Sequence, residues 1–322
     1  MKFLQTLLPI AVATSFCTPL LAQTTWPDKP VRIVVPYAAG GTTDFAARQV
    51  AQKLTEQTGQ SFFVENKTGA SGTIGSNFVA KAAPDGNTLL TNDTTYAMLP
   101  AIFKKLPWDH ASDLIPVTTL AITPVVLVVP AQSPFKTVAD LIAHAKSHPG
   151  QLNFGSGGAG SSTHLAGEVF KKEAHVFMTH IPYKGAGDAM LALMGNQVDV
   201  LITASPTAIP VVKGGKVRAL ATTGDKRLAG LPGVPTFKEA GLAGFTVVNW
   251  FGLAAPKGTP TGVVQKLQQE VAKAMTDPAL QERFSQQGAQ PGGLPSTEFA
   301  ALVKKEVAAW SAIAQSAGVK PE

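Results

Sequence analysis

Cysteine is nearly missing from this 322-residue chain, and the one residue, Cys17, lies in the apolar stretch at the N-terminus. If that stretch is removed, no thiol remains to form a disulfide, attack a substrate or bind a soft metal. Charge is sparse as well, at 15% of residues, and Lys and Arg are dispersed singly. No basic run interleaves with aromatics, so nucleic acid is not an expected partner. Several chemical signatures are absent too. There is no Gly-x-Ser-x-Gly elbow and no Lys-Ser/Thr ending of a phosphate-binding P-loop. Neither glycine loop combines the dinucleotide pattern with its later acidic residue. The six histidines show no metal-ligand spacing, and no carboxylates pair as glycoside hydrolysis requires. These absences lead us to expect no cofactor, no metal and no catalytic residue; the chain does not read as an enzyme.

What is present begins at the N-terminus. Met1-Lys2 precedes an apolar run from Phe3 to Leu21, and the small Ala22 stands before Gln23. This is the layout of a secretory signal peptide, so residues 1–22 are expected to be cleaved after Ala22 and the protein to reach the periplasm. A membrane anchor fits less well, because the run is short and contains Gln5, Pro9 and Pro19. Without Lys2 the formal charge is +5, a mild positive field suited to small anions. The remaining length exceeds what one core usually fills, so two lobes are expected.

The chain is organised around Val31–Val35, a β-branched run that stops at Pro36 and gives way to a small-residue loop and then a helical pattern from Phe45 to Thr58. The loop comprises Tyr37, Ala38, Ala39, Gly40, Gly41, Thr42, Thr43 and Asp44. Helix-starting amides lack intrahelical partners and sit at the positive end of the dipole, so such a loop can hold an anion without a charged side chain. Strand and helix patterns then alternate, through Ser61–Val64 and a second small-residue loop containing Ser71, to a short strand at Thr88–Thr91 before Thr94. A new block opens near Thr123 with the continuous apolar run Pro124–Pro130. It repeats the opening design: Leu152–Phe154 leads into Gly155-Ser156-Gly157-Gly158-Ala159-Gly160-Ser161-Ser162-Thr163-His164, and a helix follows. Four hydroxyls and four glycines between 155 and 163 offer many donors and no opposing charge. Composition shifts again near Phe245. The fold class is therefore α/β, each domain a mainly parallel sheet flanked by helices, with a ligand cleft between the domains where the two loops face one another.

The series Val35–Asp44, Val64-Glu65-Asn66-Lys67-Thr68-Gly69-Ala70 and Ala83-Pro84-Asp85-Gly86 resembles the periplasmic solute-binding proteins of tripartite tricarboxylate transporters, the Bug family. So do Gly155–Ser162, Pro182-Tyr183-Lys184-Gly185, Val234–Gly241 and Ala255–Pro260. The resemblance runs through nearly the whole chain after the leader. It implies a two-domain Venus-flytrap fold with crossing strands, residues 23–123 plus 246–322 forming one domain and 124–245 the other. It also implies that the loop Tyr37–Asp44 holds a ligand carboxylate, partly through water, and that Ser156–Thr163 meets the ligand from the other domain. Ala38-Ala39 stand where the family commonly carries prolines. The implied partners are a small carboxylate and the membrane permease subunits, with the protein expected as a monomer; a sensor that presents the bound acid to a signalling partner is the alternative.

The ligand-binding expectation covers the first loop, Ser71, Thr94, Ser156, Gly158 to His164, Tyr183, Lys184, Ala204 and Ser205. Asp44 reads as a helix cap rather than an amine ligand, and His164 as a structural histidine. Lys184 reads equally as a neutraliser of an acid or a solvated charge. Trp250 reads as core or hinge packing.

Overall fold

The computed structural model describes residues 26–316, so the expected signal peptide and its cleavage point lie outside the described residues. In chain order the first elements are β1 (Val31–Val35), α1 (Thr42–Thr58), β2 (Phe62–Asn66), α2 (Thr73–Ala80), β3 (Thr88–Asp93), α3 (Thr94–Ile102) and the long β4 (Leu114–Pro130). Next come α4 (Val138–Ser147), β5 (Asn153–Ser156), α5 (Ser162–Ala174), β6 (Thr179–Pro182), α6 (Ala186–Met194), β7 (Val200–Ala204), α7 (Ser205–Lys213) and β8 (Val217–Thr222). The chain returns through β9 (Val248–Pro256), α8 (Thr261–Met275), α9 (Pro278–Gln286), β10 (Gln290–Pro291) and α10 (Ser296–Ser316).

The strands join in the order β2-β1-β3-β9-β4-β7-β5-β6, with β8 and β10 also paired to β4. The strand–helix alternation produces parallel pairing in β2-β1-β3 and in β7-β5-β6, whereas every pair involving β4 or β9 is antiparallel. β4 links the two sectors. Its residues Leu114–Pro124 pair with β9, and Val125–Pro130 pair with β7 and β8. Two lobes result. The chain leaves the first near Thr123 and comes back near Asn249, which are Cα partners in the ladder.

Both faces of each sector are covered by helices, which is why the strands carry runs of apolar residues instead of alternating with polar ones. In β1, Val31, Ile33 and Val35 pack with Ala47, Val50 and Leu54 of α1, while Val34 points the other way into a cluster with Val79, Leu90 and Phe299. β4 does the same in the second lobe. Val125, Leu127 and Val129 join Phe154, Phe170 and Phe245, and Val126 and Val128 join Met190, Leu193 and Ile209. Trp250 lies edge-on to Phe299 at 5.2 Å, a core contact in the first lobe.

Helix limits follow local chemistry. α1 ends at Gly59, whose φ of 72° places it in the left-handed region and lets its amide donate to the Thr55 carbonyl. α9 starts with Asp277 accepting from the Leu280 amide and Pro278 at the first helical position.

Candidate functional site

The loop before α1 and the loop before α5 come together between the lobes, as the repeat of strand, glycine loop and helix leads one to expect. They border a cavity of about 30 Å³, room for one or two waters. Tyr37, Ala38, Gly41, Thr42 and Thr43 line it from the first lobe, and Gly157, Ser161, Ser162 and Thr163 from the second. Asp93 and Thr95, Ala186, Thr203 and Ala204, and Asn249 and Phe251 complete the wall. Helix starts dominate this list. α1 opens at Thr42, α3 is capped by Asp93, α5 by Ser161, α6 opens at Ala186 and α7 is preceded by Ala204. Five positive helix ends thus border one cavity, and among the described residues no Lys, Arg or His lines it.

The first loop is shaped by Gly40, whose φ of 82° is the left-handed region that side chains avoid. Asp44 reaches back to hold it, accepting from the Gly40 amide at 3.2 Å, from Arg48 at 2.9 Å and from Asn66 at 3.0 Å. Burial raises the Asp44 carboxyl, and these donors outweigh burial, leaving it below its ordinary value. Asp44 therefore braces the loop and does not line the cavity. Tyr37 does line it, with its hydroxyl donating to Asp93 at 3.1 Å. Burial pushes the Tyr37 phenol well up, and the Asp93 charge adds to this.

The lobes touch across the cavity. Ala38 N donates to the Lys184 carbonyl at 3.2 Å, Ser162 N to Thr95 Oγ1 at 3.0 Å, and the Thr42 and Thr207 hydroxyls meet at 2.8 Å. Ser71 Oγ also donates to the Ala159 carbonyl. This is a closed arrangement, and a ligand larger than a few atoms enters only when the loops part.

The expected site residues divide into three groups. Tyr37, Ala38, Gly41, Thr42, Thr43, Ser161, Ser162, Thr163 and Ala204 line the cavity. Ser71, Gly158, Ala159, Gly160, His164, Tyr183 and Lys184 instead border a separate groove of about 950 Å³, whose other walls include Met98, Ile102, Leu165 and Trp310. Ala39, Gly40, Asp44, Thr94, Ser156 and Ser205 line neither. Thr94 Oγ1 accepts from Trp250 N, and Ser205 Oγ donates to the Gly288 carbonyl. Ser156 Oγ lies 2.6 Å from His180 Nε2 and donates to the Gly158 carbonyl. His164 Nδ1 accepts from Gly160 N at 2.9 Å, and its ring stacks on His180 at 3.8 Å. Burial raises Glu168, but hydrogen bonds from His164 and Lys171 prevail and hold it down at about 2.

Asp93, Ala186, Thr203, Asn249 and Phe251 line the cavity beyond the residues to which the sequence points. Only Asp93 carried a local signal, an acidic residue two before Thr95 at a strand end, which is a helix-cap pattern.

Residues 46–319 match the model of the tripartite tricarboxylate transporter family receptor. The chain belongs to this family. The transporter receptor is similar to BugT of Bordetella pertussis, with 32% identity over 97% of this chain and 96% of that protein. Among solved structures it resembles an R. palustris protein determined with adipate, at 36% identity and a TM-score of 0.88 over 92% of this chain and 100% of that one. It also resembles MatC from Rhodopseudomonas palustris with bound malate, at 34% identity and a TM-score of 0.83 over 89% of this chain and 99% of that one. As a family receptor it is a solute-binding protein, and among the described residues no helix is long and apolar enough to cross a membrane.

Proposed function

We propose that this receptor captures a small carboxylic acid between its lobes and hands it to the membrane permease subunits of a tripartite transporter. The observation that carries this reading is the convergence of five helix N-termini and several hydroxyls on one interlobe cavity that no basic side chain among the described residues lines. Helix-start amides and hydroxyls are donors matched to a carboxylate, directly or through water, once the loops part. Relatives solved with adipate and malate support the ligand class. Residues 23–123 with 246–322 form one ligand-gripping domain and 124–245 the other, hinged where β4 and β9 cross. The protein works in the periplasm as a monomer after losing residues 1–22. A ligand that contacts both lobes favours their approach.

A thermal-shift screen of the purified protein, unfolded and refolded to strip any bound solute, tests this against di- and tricarboxylates, aromatic acids and amino acids. A ligand at a hundred times its Kd adds about 2.7 kcal/mol of stability. Thr163→Val should then weaken the hit about tenfold, since a hydrogen bond to a charged group is worth about 1.5–3 kcal/mol. No shift with any acid would refute the reading.

A further inference from the structure

The lobes also meet outside the cavity, and there the contact is apolar. Met98 and Ile102 stand one turn apart on α3 and so share a face. They form a cluster with Leu165 of α5, and Trp310 of α10 packs against it. Met98 is 1% exposed, and Ile102 and Leu165 are each 8% exposed. α3 and α10 belong to the first lobe and α5 to the second, so the cluster lies on the seam, distinct from the clusters at the heart of each lobe. None of the four side chains lines the interlobe cavity. The fit is close. Ile102 abuts Gly160, where φ is 73° and an added Cβ would overlap the isoleucine. Trp310 is held in place by its Nε1, which donates to Glu306 Oε2 at 2.7 Å.

Two kinds of contact therefore join the closed lobes, and they differ in what they contribute. The bonds from Ser162 N to Thr95 Oγ1 and from Ala38 N to the Lys184 carbonyl replace bonds that the same groups make to water when the lobes part, so their net contribution is small. Ile102 and Leu165 have no such exchange. Parting the lobes exposes them to water, and closing removes that apolar surface again. The gain is the same whether or not an acid lies in the cavity. We infer that Met98, Ile102, Leu165 and Trp310 form an apolar latch that holds part of the ligand-free protein closed, and that Ile102 and Leu165 set ligand affinity without touching the ligand. The inference rests on the reading that the lobes close around a ligand and goes beyond it. Observed affinity scales with the fraction of protein in the binding-competent state. A weaker latch therefore weakens every ligand by one common factor, whereas a change in the cavity wall alters the preference among ligands.

Pulsed dipolar spin-label distances in the refolded, ligand-free protein test this, with labels at Gln52→Cys on α1 and Lys146→Cys on α4, both exposed positions. The expected result is a population at the closed distance that falls in Leu165→Ala and in Ile102→Ala. Leu165→Met, which preserves the apolar volume, should keep it. Calorimetric titration with adipate and with L-malate should then show both acids weakened about tenfold by Leu165→Ala, in equal proportion, and restored by Leu165→Met. A ligand-free protein with no closed population, or one whose closed population is unmoved by both alanine variants, would overturn the inference. So would a latch variant that weakens one acid and spares the other. The distance measurement needs no ligand, so it decides the latch by itself; failure of both acids to bind would count against the carboxylate reading alone.

Discussion

At Gly187, in the first turn of α6, an added Cβ would collide with the Ala39 carbonyl oxygen of the opposite lobe. At Gly185 it would lie 2.8 Å from Ala38 N. Closure therefore requires bare backbone on the second lobe where the first loop arrives. Gly187→Ala should weaken ligand binding at least tenfold while leaving the free protein as stable or up to about 1 kcal/mol more so, because alanine favours the helix. Titration and urea denaturation measure the two quantities separately; unchanged affinity would mean that the lobes bind without meeting here. Residues such as Tyr37, Thr43, Ser161 and Thr163 were legible in the sequence because glycines and hydroxyls crowd together there. Asp93, Thr203 and Asn249 were not. They sit on three strands far apart in sequence, and only the pairing of β9 with β3 and β4 and of β4 with β7 gathers them.

Among the elements, the loop between β5 and α5 is held by imidazoles as well as by its own hydroxyls. His180 on β6 contacts Ser156 Oγ, His164 on α5 accepts from the Gly160 amide, and the two rings stack. Burial, with repulsion from His164, pushes His180 from 6.5 down to about 4. Between those values the unfolded chain binds more protons than the folded one, so stability falls as pH drops through the window. The ring is partly exposed, and after solvent screening the loss is about 1–2 kcal/mol. Urea midpoints at pH 7 and pH 4 should show a smaller drop for His180→Gln than for the unchanged protein; equal drops would refute the assignment. Glu168, held at about 2, adds its own loss only below 4.5. Element limits were readable where a β-branched run stops at a proline, as β1 does before Pro36. α3 and α7 were not read as helices, since Pro100 and Pro210 interrupt their patterns. β4 starts ten residues before its apolar run, because Thr118, Thr119 and Pro116 dilute the signal and the register shifts twice there.

For the whole molecule, the closed arrangement can be trapped. The Thr42 and Thr207 hydroxyls, one from each lobe, lie 2.8 Å apart, and the sequence has no cysteine after Cys17 to compete. Replacing both with cysteine should give a disulfide on oxidation, formed faster with ligand present, and the bridged protein should neither release nor admit ligand during dialysis. Formation at the same rate with and without ligand would argue that closure is independent of binding. The two-lobe plan was legible from length and from the repeated glycine loops. The return of the chain to the first lobe followed from family resemblance alone, because no local pattern in Val248–Pro256 states which strands it joins.

That return also orders events in time. β9 lies between β3 and β4, so the first sheet keeps a gap in its middle until synthesis has passed Pro256. Pairing across so long an intervening stretch is slow. During synthesis the first lobe therefore waits for β9 to leave the ribosome before its sheet can close.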